Sequence, residues 1–145
     1  MRAELIDTGP LVAALNKKDK YHSWATELLA SIRPPLLTCE AVVSEAVYLL
    51  RGVAGGPGAL MELLTRGLLQ TPFRLQDEAP AVQGLLGRYA SARMDLADAC
   101  LVRMTEIYAD CELLTVDQEF RDIYRRRGRQ AIPALLPTGP RPSTR

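Results

Sequence analysis

A chain of 145 residues makes one domain, long enough to bury roughly 70% of the surface its unfolded form exposes. Its 48% hydrophobic and 24% charged residues exclude a disordered or fibrous protein, and a formal net charge of +1 gives no global field announcing a nucleic-acid partner. No apolar run reaches the ~18 residues of a membrane span, and no signal peptide is read at the start.

Residues 2–6 form a first strand, stopped by Asp7-Thr8-Gly9-Pro10, which doubles as a helix start because Asp or Thr can cap and Pro is tolerated in a first turn. A short helix follows to about Asn16, and a second runs from about Tyr21 to Ile32, ended by Pro34-Pro35. Leu36-Leu37-Thr38 is a short strand, and a third helix spans about Cys39 to Val53. The Gly-rich stretch Gly52–Gly58 reads as the clearest loop of the chain, a connector without the Lys-Ser/Thr of a phosphate-binding P-loop. A helix over about 59–69 leads to a strand near 72–75. Two helices over roughly 77–92 and 96–108 precede a buried strand, Glu112–Val116. A helix over 118–126 and an edge strand at Ala131-Ile132 complete the domain at about residue 136, and 137–145 is a loose tail. Strands alternating with helices predict an α/β fold with a mostly parallel sheet of four to five strands, whose ligands bind beyond the carboxyl ends of the strands.

Four carboxylates stand out against this pattern. Asp7 and Asp117 each directly follow a strand-like apolar run, so both fall on the ligand-binding edge. Either could be a helix cap, and Thr115 with Gln118 fits a capping box. Glu45 falls at the margin of the buried stripe of the third helix, beside Leu49, where it could also snorkel to water. Asp98 sits in Leu96-Ala97-Asp98-Ala99-Cys100-Leu101-Val102, apolar on nearly every side. Asp95, three residues earlier, shares its face or caps the helix. Gathering unpaired anions in a core costs several kcal/mol each, roughly, and the sequence offers no obvious interior Lys or Arg to pair them. A hard divalent cation such as Mg²⁺ solves the problem, because it takes oxygen ligands and favours phosphate substrates.

Other residues carry less. His22 is the only histidine and has no nucleophile-elbow motif to serve, so it reads as structural. Cys39 and Cys100 lie in apolar surroundings; with Cys111 they make an odd number without ligand spacing, as in a reducing cytoplasm. Arg121, Arg125 and Arg126, with Arg127 and Arg129, are a solvated helix end suited to the macrodipole, or a site for phosphates, such as those of RNA, or for an acidic partner.

From Ile6 to about Ala134 the chain resembles the PIN-domain proteins, and most the small VapC-type toxin ribonucleases of toxin–antitoxin pairs. Ile6-Asp7-Thr8-Gly9-Pro10-Leu11 is similar to the first acidic motif of that family, and Ser44-Glu45-Ala46 to the second. Asp95-Leu96-Ala97-Asp98-Ala99 resembles the third, with Asp98 the principal acid and Asp95 an accessory one. Leu114-Thr115-Val116-Asp117-Gln118-Glu119-Phe120 resembles the fourth. The resemblance implies a Rossmann-like sheet with the acids at one edge, Mg²⁺ or Mn²⁺ held by Asp7, Glu45, Asp95, Asp98 and Asp117, and hydrolysis of single-stranded RNA. Catalysis falls to Asp7, Glu45, Asp98 and Asp117, with Thr8 and Thr115 hydrogen-bonding acids or ordered water. A homodimer and a neutralising antitoxin are implied as well. The alternatives are a non-catalytic RNA-binding or scaffold module that keeps the acids for structure, and a metal-dependent phosphohydrolase of small phosphates.

Overall fold

The computed structural model describes residues 2–137; the expected tail lies, from residue 138 on, outside the described residues. Five parallel strands form one sheet in the order β3-β2-β1-β4-β7: β1 (Ala3–Ile6), β2 (Leu36–Leu37), β3 (Leu69–Gln70), β4 (Cys111–Leu114) and β7 (Ala134–Leu135). Leu5, Ile6, Leu113 and Leu114 are all fully buried, the continuous apolar pattern of parallel strands covered on both faces. Around the sheet pack α1 (Thr8–Leu15), α2 (His22–Ser31), α3 (Glu40–Leu50), α4 (Gly56–Thr65), α5 (Leu75–Arg88), α6 (Leu96–Ile107) and the single turn α7 (Glu119–Asp122). The chain moves outward from β1 through β2 to β3, then returns to the other side of β1 as β4. The boundary between β1 and β4 is therefore the topological switch point, where a crevice opens beyond the strand ends.

The departures from the sequence expectations each have a local cause. The third strand is Leu69–Gln70, not 72–75. Leu69 is a core residue in register with Leu36, whereas Pro72 lacks the N–H that a ladder needs. The loop 52–58 is shorter than expected, because Gly55 turns the chain at φ +72° and Gly56-Pro57-Gly58 already belongs to the first turn of α4. The helix expected over 118–126 stops at Asp122. Beyond it Tyr124 plunges into the core, in edge-on contact with Phe120 and Tyr89. Arg125–Arg126 (β5) then pairs antiparallel with Gln130–Ala131 (β6), so the expected edge strand at 131–132 belongs to this small ribbon and β7 takes the sheet edge.

Arg126 does not belong to a solvent-facing phosphate- or RNA-binding patch. It is buried, and its guanidinium donates to the carbonyls of Thr105, Tyr108 and Ala109, satisfying the C-terminal end of α6. Arg125 donates to the carbonyls of Arg121 and Tyr124, and Arg121 pairs with Asp122. Arg126 thus fastens the chain at the end of α6 opposite to Asp98, while Arg121 and Arg125 bond within their own segment.

Gly9 sets the approach of the first turn of α1 to the loop after β4. A Cβ at this position would stand 2.4 Å from Cγ2 of Val116, a stiff β-branched side chain. Gly9→Ala is expected to cost about 1–3 kcal/mol in denaturant unfolding, and Val116→Ala in the same chain to recover much of it. No loss in Gly9→Ala would mean that the helix turn and the loop are not held this close.

Candidate metal centre

Register brings the first two site residues together. Ile6 faces Leu114 in the parallel β1–β4 pair, so the next residues, Asp7 and Thr115, emerge side by side, with the Asp7 N–H still donating to the Leu114 carbonyl at 2.9 Å. Asp7 is 7% exposed and Thr115 fully buried. The Thr115 hydroxyl donates to Asp7 Oδ2 at 2.7 Å and accepts the Asp117 N–H at 2.9 Å. The backbone N–H of Thr8 donates to Asp7 Oδ1 at 2.7 Å, so Asp7 caps α1 while facing the crevice. The capping box expected between Thr115 and Gln118 does not form, because the hydroxyl is spent on Asp7 and Asp117. Asp117 instead accepts the Glu119 N–H at 2.9 Å, a tight turn that opens α7.

Asp98 enters from α6. Asp95 is the N-cap of that helix, with Oδ1 accepting the Asp98 N–H at 2.7 Å. This is the capping alternative, and Asp95 itself is exposed. The carboxylate of Asp98 accepts the Tyr124 hydroxyl at 3.0 Å, and the same hydroxyl lies 3.4 Å from Glu119 Oε1. One oxygen each of Asp98, Asp117 and Glu119 lie within 4.8 Å of one another.

Glu119 was not singled out in the sequence. The signal that could have found it is a second acid two residues beyond the strand-end Asp117, but a helix over 118–126 would have sent it toward solvent with Arg121 and Asp122. Glu45 differs from expectation too. Val42, Ala46 and Leu50 form the buried stripe of α3, while both Glu45 and Leu49 are exposed. Glu45 still reaches the site, because its Oε1 accepts the Thr8 hydroxyl at 2.7 Å. Thr8 and Thr115 therefore each hold one acid by its oxygen.

The charges are uncompensated by protein cations. Salt bridges among the described residues engage Glu4, Asp77, Glu78, Glu106, Glu112 and Asp122, and none reaches Asp7, Glu45, Asp98, Asp117 or Glu119. Burial, opposed by the hydrogen bonds from Thr115 and Thr8 and assisted by the charges of Asp117 and Glu45, pushes the Asp7 carboxyl up to about 6. Burial, with the charge of Asp95 next, pushes Asp98 up to about 7. The Tyr124 phenol is raised by burial and by Asp98. Hard oxygen donors converging without a protein cation fit a divalent metal ion of the Mg²⁺ or Mn²⁺ kind, and would hold a soft thiophilic ion poorly.

A model of the PIN-domain family matches residues 5–126. No curated protein matches the chain at a significant level. Among solved structures the fold is similar to that of VapC20 of Mycobacterium tuberculosis, described as a sarcin-ricin loop cleaving toxin, with a TM-score of 0.71 at 19% sequence identity. That likeness covers 81% of this chain and 92% of the other.

Both raised carboxyls have folded-state values above the ordinary 3.8 of the unfolded chain. The folded protein therefore retains protons that the unfolded one releases, and this stabilisation is complete below about pH 4 and lost as pH rises through about 6 and about 7. With chelator present, the melting temperature should fall from pH 5 to pH 8, and Asp98→Asn should flatten the upper part of that fall. A metal-free protein equally stable at both pH values would contradict the electrostatics described.

Proposed function

The chain belongs to the PIN-domain family, and from that premise we propose that it is a divalent-metal-dependent endoribonuclease acting on single-stranded RNA, the toxin of a toxin–antitoxin pair. The observation that carries the reading is the convergence of Asp7, Asp98, Asp117 and Glu119 at the switch point with no protein cation among them. The similarity in fold to a toxin that cleaves the sarcin-ricin loop supports RNA as the substrate class.

Asp98, Asp117 and Glu119 would hold Mg²⁺ or Mn²⁺, with Asp7 and Glu45 within electrostatic reach. Asp95 contributes by capping α6 and by its charge on Asp98. What a divalent ion supplies when bound is a water of lowered pKa and positive charge against the scissile phosphate. The protein groups prepare that chemistry. Thr115 fixes the Asp7 carboxylate and the Asp117 backbone with one hydroxyl, and Thr8 holds Glu45. Tyr124 orients Asp98 and donates its proton in that bond, so it stays a neutral donor rather than adding another negative charge. Side chains held by such partners keep their geometry without reorganising during reaction. Hydrolysis without a covalent enzyme intermediate is expected, by resemblance to the family, to leave 5′-phosphate and 3′-hydroxyl ends.

A homodimer is implied by the resemblance to the VapC-type toxins, and Tyr48 and Leu49 on α3 and Met61 on α4, 60%, 50% and 48% exposed, are apolar side chains available to it. A protein antitoxin completes the pair. A cytoplasmic location agrees with three free, buried cysteines, and no helix among the described residues is long and apolar enough to cross a membrane.

Purified protein should cut a mixed single-stranded RNA with Mn²⁺ or Mg²⁺ and stop when the ion is chelated. Asp98→Asn should lower cleavage by at least about 10²-fold while remaining folded. Glu119→Gln should weaken metal binding measurably. A fully active Asp98→Asn protein would overturn the assignment, and RNA binding without turnover, indifferent to chelator, would favour the non-catalytic alternative.

A further inference from the structure

Beside the acids lies a cavity of about 540 Å³, a size suited to a small ligand, between the N-terminal ends of α3 and α6 and the start of α5. Its walls are largely apolar. Phe73 forms one side, and Leu75 and Leu96, each 41% exposed, stand at its mouth. Glu45, which accepts the Thr8 hydroxyl, and Asp95, which accepts the Asp98 N–H, line the cavity, so it borders the acid cluster. Glu40 and Ser44, one helical turn apart on α3, add polar atoms, and no Lys or Arg lines the cavity.

We propose that this cavity receives the nucleobase next to the scissile phosphate, stacked on Phe73 between Leu75 and Leu96 and read at its edge by Glu40. The inference rests on the ribonuclease reading above and names the part of the RNA that this chain recognises. The absence of any basic lining residue argues against a phosphate occupant. What fits is a neutral planar group with apolar faces and hydrogen-bond donors on its rim. Unstacked bases of single-stranded RNA are bound in this way, against aromatic rings and by their exposed edges. The shared border at Glu45 and Asp95 puts such a base adjacent to the phosphate that meets the acids. Edge chemistry then orders the bases. A carboxylate only accepts, and guanine offers N1–H and N2–H₂ side by side to it. Uracil offers one N–H flanked by two carbonyls, so it is the poorest occupant.

The test uses a short single-stranded RNA that the wild-type protein cuts, made with an abasic residue in turn at each of the two nucleotides flanking the cut. Base–aromatic stacking is worth about 1–3 kcal/mol, so kcat/KM should drop roughly 5- to 150-fold at one of the two positions. In Phe73→Leu, which keeps an apolar side chain but removes the ring and is checked for folding by its melting temperature, the abasic penalty should shrink to a few-fold. Glu40→Gln should narrow the preference for guanine over uracil at that position. Equal abasic penalties in wild type and Phe73→Leu would overturn the base site while leaving the ribonuclease reading intact. A Phe73→Leu protein that cuts RNA normally but loses affinity for a peptide carrying arginine and leucine would make the cavity a protein site and likewise overturn it. No metal-dependent cleavage of any mixed-sequence RNA would overturn both readings.

Discussion

The hydrogen bond from the Thr115 hydroxyl to Asp7 is the point at which sheet, loops and site meet. It exists because β1 and β4 are adjacent parallel strands in a register that ends both at the same level, Ile6 against Leu114. Such a contact joins residues 108 apart in sequence, so it reports the closed fold rather than any local preference. The glycine at position 9 lets the first turn of α1 lie against Val116, which keeps Asp117 at the same edge. The same hydroxyl anchors the backbone of Asp117, and the turn that Asp117 closes brings Glu119 round to Asp98.

This arrangement is poor for stability and good for chemistry. Burying carboxylates beside one another disfavours their charged forms, as the raised Asp7 and Asp98 show. A chain selected for stability alone would have placed a guanidinium among them. This one has a buried arginine, but Arg126 is spent on carbonyls at the far end of α6. The partners supplied at the site itself are neutral donors, Thr8, Thr115 and Tyr124, which satisfy some lone pairs and leave the negative charge in place. The uncompensated electrostatic cost is what would give a divalent ion its affinity, since binding would replace repulsion and protonation together.

Much of this was legible in the sequence where local pattern and tertiary position agree. Asp7 and Asp117 end strand-like runs, and Asp98 interrupts an apolar helix, so each betrays itself without its neighbours. The order of strands and helices follows from the same periodicity. Glu119 was hidden, because its direction depends on the Asp117 turn and on Tyr124 ending the helix early, neither of which a helical pattern over 118–126 suggests. Arg126 was misread for the same reason: a guanidinium capping a helix 18 to 21 residues earlier looks, in sequence, like any solvated arginine. The short strands β3 and β7 are two residues each and carry too little pattern to be placed without the partner whose register they adopt.

The central claim is that the acid cluster exists to hold a divalent cation, and calorimetric titration of the protein with Mn²⁺ in buffers of different ionisation enthalpy tests it most directly. Near pH 6.5 binding should release on the order of one proton per chain, as metal displaces the protons held on Asp98 and Asp7. The release should vanish near pH 9, where both are already ionised, and should diminish in Asp98→Asn. Absence of binding, or binding whose proton release is the same at both pH values, would contradict the claim and return the cluster to a structural role.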